Sequence, residues 1–424
     1  MARNLFDRSY AGLFLPLDHE QYAPPLYLVL TKALADTFGY RELVLRLPAF
    51  LGGWLGVYGV WKVSKKTLDE YWTLLPPALL FGNGIVLRYV TEVKPYALDM
   101  GIAALLLTLH LRARPLFPLL WLVVGMVCPW VSLPSVFVLA MVGLRGLQYN
   151  YRQWVGPIVG WLLSFVVLYV TVLRPSVGSD YLNDFHRDYF LPLVLDGEGL
   201  ARLGRIGYRF LRLSFGVTWV ALVWGALLLL VGLFIRPRLS WLLLPLLLVA
   251  LVSSFQYYSL IDRLLLFVLP GVWLFAAASA RALADRVDRK PSWAIVGLSL
   301  LMAGGGNVWS KFYSPERTSD GRELAMLAQV PDAYVHPSAV PVVDYYARIH
   351  PVTRYRATPV GTTLPDRKAD SYTILFDVTT DPVTYRQASE AAERAAARGC
   401  NAEVRELFRA RVVEVRCRAR NSDP

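Results

Sequence analysis

Between residues 43 and 309 the chain passes through ten apolar segments, most of them separated by short charged breaks and two by the long loop 174–215, and this alternation constrains the fold more than any other feature. The segments are roughly 43–63, 70–87, 97–112, 116–129, 131–146, 153–173, 216–235, 239–256, 263–282 and 291–309. Hydrocarbon offers a backbone no hydrogen-bond partner, so a spanning segment of this kind must be helical. The pair 116–129 and 131–146 is short and broken at Cys128-Pro129-Trp130 and Pro134, so it reads either as two short spans or as two half-depth helices. Only 18% of the 424 residues are charged and the mean hydropathy is +0.40. A soluble domain carries roughly 25% charged residues, so the chain reads as a polytopic membrane protein.

The net charge of +12 does not imply a nucleic-acid partner, because the basic residues sit in clusters between apolar runs. Under the ten-span reading, Lys62/Lys65/Lys66, Arg112/Arg114, Arg145/Arg152, Arg236/Arg238 and Arg281/Arg286/Arg289/Lys290 all fall on one side, which is therefore cytoplasmic. The outer side then holds the N-terminus, the loop around Glu92, the loop 174–215, the loop Gln256–Arg263 and everything after 310. Met1–Asp7 does not lead into a signal-peptide core. An outer start without a signal creates the expectation of a further span upstream. Residues 1–42 read as an outer loop followed by a short interfacial or re-entrant helix, about 26–38, that stops at Gly39.

After 310 the chain becomes polar. Strand-like runs at Ala333–Val335, Val340–Val343, Tyr372–Val378 and Val412–Arg416, with a helix at about 383–398 ending at Gly399, predict a small extracytoplasmic α/β domain over 310–424. Cys400 and Cys417 both fall in this domain; pairing in an oxidising compartment and free thiols remain open readings. With Cys128 they are too few for a Cys-based zinc site. Gly52, Gly53 and Gly56 form a small-residue pattern suited to close helix packing.

Arg88-Tyr-Val-Thr-Glu92-Val-Lys94-Pro95-Tyr96-Ala-Leu-Asp99 is a charged, proline-broken stretch between two spans. Ionisable groups that close to hydrocarbon are costly unless they face a cavity or a partner. The segment is therefore either a functional site or a polar turn joining two helices.

Three stretches carry a family resemblance. Tyr22-Ala-Pro-Pro-Leu-Tyr27 through Gly39 and on to Glu42-Leu-Val-Leu-Arg46-Leu-Pro48 resembles the entry signature of bacterial GT-C glycosyltransferases of the glycosyltransferase-39-like superfamily. That superfamily includes the protein O-mannosyltransferases and the lipid A aminoarabinose transferase. Tyr89-Val-Thr-Glu92-Val-Lys94-Pro-Tyr96-Ala-Leu98 and Tyr257-Tyr-Ser-Leu-Ile-Asp-Arg263 through Pro270 resemble its second and late motifs, in the family's order and spacing. The resemblance implies an all-α GT-C-like core and transfer of a sugar from a polyprenyl-phosphate carrier, with inversion, at the outer face of a bacterial inner membrane. The acceptor class (lipid, glycan or protein) stays open. Family members carry an acidic motif in an outer loop after a first span, and its Asp is taken as the catalytic base. This chain starts about where that loop ends, which creates the expectation of a truncated or late-called start. Ala23 stands where the aminoarabinose branch has a lysine, so no lysine role transfers there.

Such a transfer needs a carboxylate to orient or deprotonate the acceptor hydroxyl and cations to hold the departing phosphate. Glu92 is the leading carboxylate, with Asp18 and Glu20 beside it as catalytic candidates; a helix-entry residue and a solvated loop are their structural alternatives. Lys94 and Arg263 are the phosphate candidates, and snorkelling to headgroups is the alternative for Arg263. Arg88, Arg46, Tyr96, Tyr257 and Asp99 complete the substrate-binding set, with Asp99 either pairing with Lys94 or Arg88 or lining a cavity. Tyr258 fits an interfacial aromatic belt as well as a sugar site. No cofactor fingerprint is present; Asp18, His19 and Glu20 offer a weak divalent-metal pattern. The loop residues Asp180, Asp184, His186, Arg187, Asp188 and Tyr189 read as a solvated segment or an acceptor lid. A lipid or polysaccharide transporter is the alternative of a different class, although the internal repeats common in transporters are absent. A non-catalytic membrane subunit is the third reading.

Overall fold

The computed structural model describes residues 2–18, 21–111, 117–174, 186–194, 196–287, 295–299, 320–330, 332–349, 356–357, 371–378 and 382–417. Arg112, Arg114, Arg289, Lys290, Asp180, Asp184 and the tenth apolar segment, apart from 295–299, lie outside them. The chain divides into two units, Met1–Tyr313 and Ser314–Pro424.

The first unit is all-helical among the described residues. A short α1 (Ala2–Asp7) leads to α2 (Pro25–Phe38), whose first residue is a proline with no amide lost to the helix. Lys32 of α2 donates to the Leu5 carbonyl at 2.7 Å and to the Tyr40 hydroxyl at 2.9 Å, tying α1 down. Then come α3 (Glu42–Thr67), α4 (Leu75–Gly82), α5 (Gly84–Val90), α6 (Tyr96–His110) and α7 (Pro118–Val131). The long α8 (Ser135–Leu168) continues as a widened turn to Leu173. It is followed by α9 (Gly197–Phe215), α10 (Trp219–Ile235), α11 (Leu244–Ser254) and α12 (Leu269–Ala284).

Among the described residues, four stretches are long and apolar enough to cross a bilayer: Glu42–Thr67, Ser135–Leu173, Pro237–Ser254 and Asp262–Ala284. The segment expected at 70–87 is a bent pair, Tyr71–Gly82 and Gly84–Val90, at 65°. Its cause is local. Asn83 leaves the helix and its side chain caps the next one, accepting from the amides of Ile85 and Val86 at 3.0 and 3.1 Å. The segments expected at 131–146 and 153–173 are the two arms of α8. Asn150 leaves helical geometry (φ −157°, ψ 88°), and Gly143 then lies against Ile158 and Trp161, and Gly146 against Trp154. In a straight helix Gly143 and Trp161 would stand about 27 Å apart at 1.5 Å per residue, so the chain doubles back at Asn150. Trp161 donates to the Trp121 carbonyl at 2.8 Å, which fastens α7 to the second arm.

Close packing sets the depth of α6. A methyl on Gly52 of α3 would overlap the Leu98 backbone, and one on Gly101 would overlap the Gly52 carbonyl. Backbone contact of this kind accepts only glycine.

The second unit is a small α/β domain. Its five-stranded sheet has the order β2-β1-β3-β5-β4, built from β1 (Ala333–Val335), β2 (Arg356–Ala357), β3 (Ser371–Asp377), β4 (Asn401–Leu407) and β5 (Ala410–Arg416). Strand β1 is parallel to both neighbours, whereas β3–β5 and β5–β4 are antiparallel. Helices α13 (Gly321–Leu327) and α14 (Val340–Ile349) contribute to one core with Val335, Leu375 and Val412. Helix α15 (Pro382–Ala397) contributes Ala388, Ala391 and Ala395 to a second core with Ile374, Phe376 and Val413. The run Val340–Val343, expected as a strand, is the first turn of α14. Pro341 suits a helix start, Val343 is buried, and Asp344 and Arg348 pair at 3.1 Å one turn apart. Strand β4 was not expected, because its alternation of polar and half-buried residues is weak. Cys400 and Cys417 form a disulfide with Cα atoms 4.2 Å apart, next to the Asn401–Arg416 pair of the β4–β5 ladder.

Candidate functional site

The site is built on the entrance to α6. After the α5 helix ends at Val90, the chain turns through Glu92–Lys94, with the Lys94 amide donating to the Glu92 carbonyl at 2.8 Å, and Pro95 starts α6. Arg88 Nε donates to Glu92 Oε1 at 2.8 Å, and the Arg88 guanidinium lies 5.8 Å from the Tyr89 ring centre. Tyr89 and Tyr96 meet edge to face at 5.3 Å. Thus Glu92 is held from one side and Tyr96 is oriented by its neighbour.

Arg263 reaches this place from a distant part of the chain. It lies in the tight helical turn Asp262–Val268 just before α12, and that turn packs against α6. Its charge falls within electrostatic reach of Lys94, His186, Tyr89 and Tyr96. Burial first, and then Arg263, pushes the Lys94 ammonium below its ordinary value, while Glu92 acts in the opposite direction. Among the described residues, no carboxylate lies within ion-pair distance of Lys94. Burial and then Arg263 also lower His186, favouring its neutral imidazole. Two cations, a neutral imidazole, a carboxylate and two phenols thus gather where α6 begins. An anion carrying a hydroxyl-bearing substituent would find both partners there.

The other sequence candidates are dispersed. Asp18 accepts from Arg8 at 2.8 Å, and its amide donates to Asn4 at 3.0 Å, so it is engaged with α1. His19 and Glu20 lie outside the described residues. Arg46 stands 3.5 Å from Glu42 in the first turns of α3. Tyr257 is 81% exposed, whereas the neighbouring Tyr258 donates to the Leu264 carbonyl at 2.9 Å. Asp99 is buried in α6 and pairs with neither Lys94 nor Arg88, which removes one of its two readings. Among the described residues, no three His, Cys, Asp or Glu side chains gather as a metal site.

One element went unread in the sequence. The C-terminal part of the 174–215 loop, read as solvated or as a lid, is the amphipathic helix α9. Arg202, Arg205, Arg209 and Arg212 recur at spacings of three and four, the period of one helix face. Arg209 lies 4.6 Å from the Tyr189 ring centre and Arg212 lies 3.7 Å from Asp262, the neighbour of Arg263. That spacing was the available signal. The corner between α9 and α10 is pinned by Trp273, which donates to the Ser214 carbonyl at 2.7 Å, and by Asn83, which donates to Leu213.

Fold and site together define a polytopic helical bundle of bilayer-spanning character, with a charged site at one helix entrance and an appended α/β domain. No family model matches the chain, and no curated protein matches it in sequence. Among solved structures it is similar to ArnT from Cupriavidus metallidurans in the apo state, at 12% identity and a TM-score of 0.48, covering 97% of this chain and 93% of that one. It is also similar to the same ArnT bound to undecaprenyl phosphate, at 12% identity and a TM-score of 0.47, covering 97% and 92%.

Proposed function

We propose that this chain is an integral-membrane glycosyltransferase that moves a sugar from a polyprenyl-phosphate carrier to an acceptor at the outer face of a bacterial inner membrane. The observation that carries the reading is convergence. The three stretches with the family resemblance lie far apart in sequence. Yet Tyr22 and Tyr27 lie within electrostatic reach of Asp99 in α6, and Arg263 lies within reach of Lys94 and Tyr96. A loop that merely turned a helical hairpin would need none of these meetings.

In this reading Lys94 and Arg263 hold the phosphate that departs with the lipid, where negative charge grows in the transition state. Apolar helix faces take the isoprenoid tail. Glu92, oriented by Arg88, receives or orients the acceptor hydroxyl. The disulfide Cys400–Cys417 supports placing the second unit in an oxidising, outer compartment.

The test is direct binding of undecaprenyl phosphate to the purified protein in detergent. Lys94→Ala and Arg263→Ala should each weaken binding about tenfold or more, since a hydrogen bond to a charged group contributes about 1.5–3 kcal/mol. Glu92→Gln should retain binding and lose transfer from radiolabelled carrier sugars. Unchanged binding in both cation variants would remove the assignment.

A further inference from the structure

Below the phosphate-binding entrance, several buried polar atoms lack partners. The Tyr22 and Tyr27 hydroxyls, Asp99 Oδ1, and the Ser132 and Ser135 hydroxyls are all buried without a hydrogen bond among the described residues. Native structures rarely leave such atoms unsatisfied, and membrane interiors offer no water to cover the lapse. The atoms also belong together. Tyr22, Tyr27, Tyr96 and Tyr258 all lie within electrostatic reach of the Asp99 carboxylate, and the Ser132 hydroxyl lies close enough to influence it without meeting hydrogen-bond geometry. Ser135 follows Ser132 in the same turn, with its amide donating to the Ser132 carbonyl at 3.1 Å. They come from the approach to α2, from α6 and from the break between α7 and α8, so no local turn explains them.

The chemistry of the cluster limits what can satisfy it. Among the described residues no Lys or Arg pairs with Asp99, so hydroxyl groups rather than cations surround the carboxylate. The tyrosine and serine hydroxyls can both donate and accept. The bodies of Tyr22, Tyr96 and Tyr258 are only half-buried, and Asp99 itself keeps 6% of its surface open. Asp99 lies three residues into α6 from Tyr96, about 4.5 Å along the axis. A group attached to a phosphate at Lys94 and Arg263 would reach that depth.

We propose that Asp99, Ser132, Tyr22 and Tyr27 form the subsite for the hydroxyl-bearing ring of the carrier-bound sugar. The inference rests on the function proposed above. Ring hydroxyls donate to Asp99 and exchange hydrogen bonds with Ser132, Tyr22 and Tyr27, while the tyrosine faces cover the ring. The sugar is thereby recognised beside the phosphate rather than at the acceptor side.

The experiment measures affinity of the full-length protein in detergent for bare undecaprenyl phosphate and for undecaprenyl phosphate carrying glucose, mannose, galactose or arabinose. At least one sugar-bearing carrier should bind about tenfold more tightly than the bare one. Asp99→Asn should remove most of that tenfold advantage, weakening the sugar-bearing carrier far more than the bare one, and Tyr27→Phe, which removes a single oxygen, should act in the same direction. Equal affinity of all carriers for the unsubstituted protein would overturn the sugar subsite while leaving the phosphate reading intact. So would equal losses for bare and sugar-bearing carriers in both variants. Failure of every carrier to bind would overturn both.

Discussion

Lys94 is the residue at which burial and charge meet most directly. Its ammonium is desolvated and lies within the field of Arg263, and among the described residues only Glu92 acts to hold its proton, so it deprotonates below the ordinary 10.5. A bound phosphate anion favours the protonated form of Lys94, so loss of that proton weakens binding. Affinity for undecaprenyl phosphate should therefore fall as pH rises, beginning below the range of a free lysine. Lys94→Arg, with a side chain that stays charged throughout, should flatten this decline. Binding measured from pH 7 to 10.5 in both proteins checks it, and a decline surviving in the arginine variant would place the titrating group elsewhere. Much of this locus was legible in the sequence, because Glu92, Lys94 and Pro95 interrupt two apolar runs and such interruptions are costly. The role of Asp99 was only half legible. Its sequence showed a carboxylate inside a span but not whether a cation reached it. The partnerless hydroxyls of Tyr22, Tyr27 and Ser132 are a property of tertiary packing that no spacing rule reveals. His186 is similar: in sequence it is one polar loop residue among many, and only the fold sets it beside Arg263.

At the scale of elements, the approach of α3 to α6 decides how deep the site sits. Gly52 and Gly101 bring the two backbones into contact just below Leu98. Gly52→Ala would drive a methyl into backbone that cannot swing aside, so the helices must separate. The expected cost is about 1–3 kcal/mol, typical of overpacking, together with weaker carrier binding as Lys94 and Asp99 shift. Gly156, in the second arm of α8, has open space where its methyl would go. Gly156→Ala should be neutral or stabilising by up to about 1 kcal/mol, since alanine is the better helix former. Thermal unfolding in detergent, paired with carrier binding, separates the two; similar behaviour of both variants would refute the contact argument. The helices themselves were legible because backbone satisfaction in hydrocarbon forces them. Their interruptions were harder to read. Asn83 bends one span by capping the next helix, yet it is a single polar residue in apolar surroundings. The reversal of α8 at Asn150 was easier to read, because Arg145, Gln148, Arg152 and Gln153 break the apolar run around it. The strand expected at Val340–Val343 failed for a related reason. β-Branched residues favour strands only weakly, and here Pro341 and the Asp344–Arg348 pair favour helix.

For the whole molecule, sidedness is the property on which function depends, and two independent features lead to it. Under the ten-span reading the clusters Lys62/Lys65/Lys66, Arg145/Arg152 and Arg236/Arg238 all follow odd-numbered spans and so share one side, which the excess of basic residues would make cytoplasmic. The second unit carries the Cys400–Cys417 disulfide, a bond that persists outside the reducing cytoplasm. If both inferences hold, a phosphatase that folds only in an oxidising compartment should be active when fused after Pro424 and inactive when fused after Lys66. Without reductant, a maleimide should reach at most Cys128, the half-buried free thiol. Reduction under denaturing conditions should add two more labels. Replacing both Cys400 and Cys417 by serine should cost the second unit about 2–4 kcal/mol, the usual range for a disulfide, seen as faster proteolysis of that unit in the full chain. Active phosphatase at Lys66 would invert the orientation. The entrance to α6 would then face the cytoplasm, and a polyprenyl-phosphate donor at the outer surface could not reach Lys94.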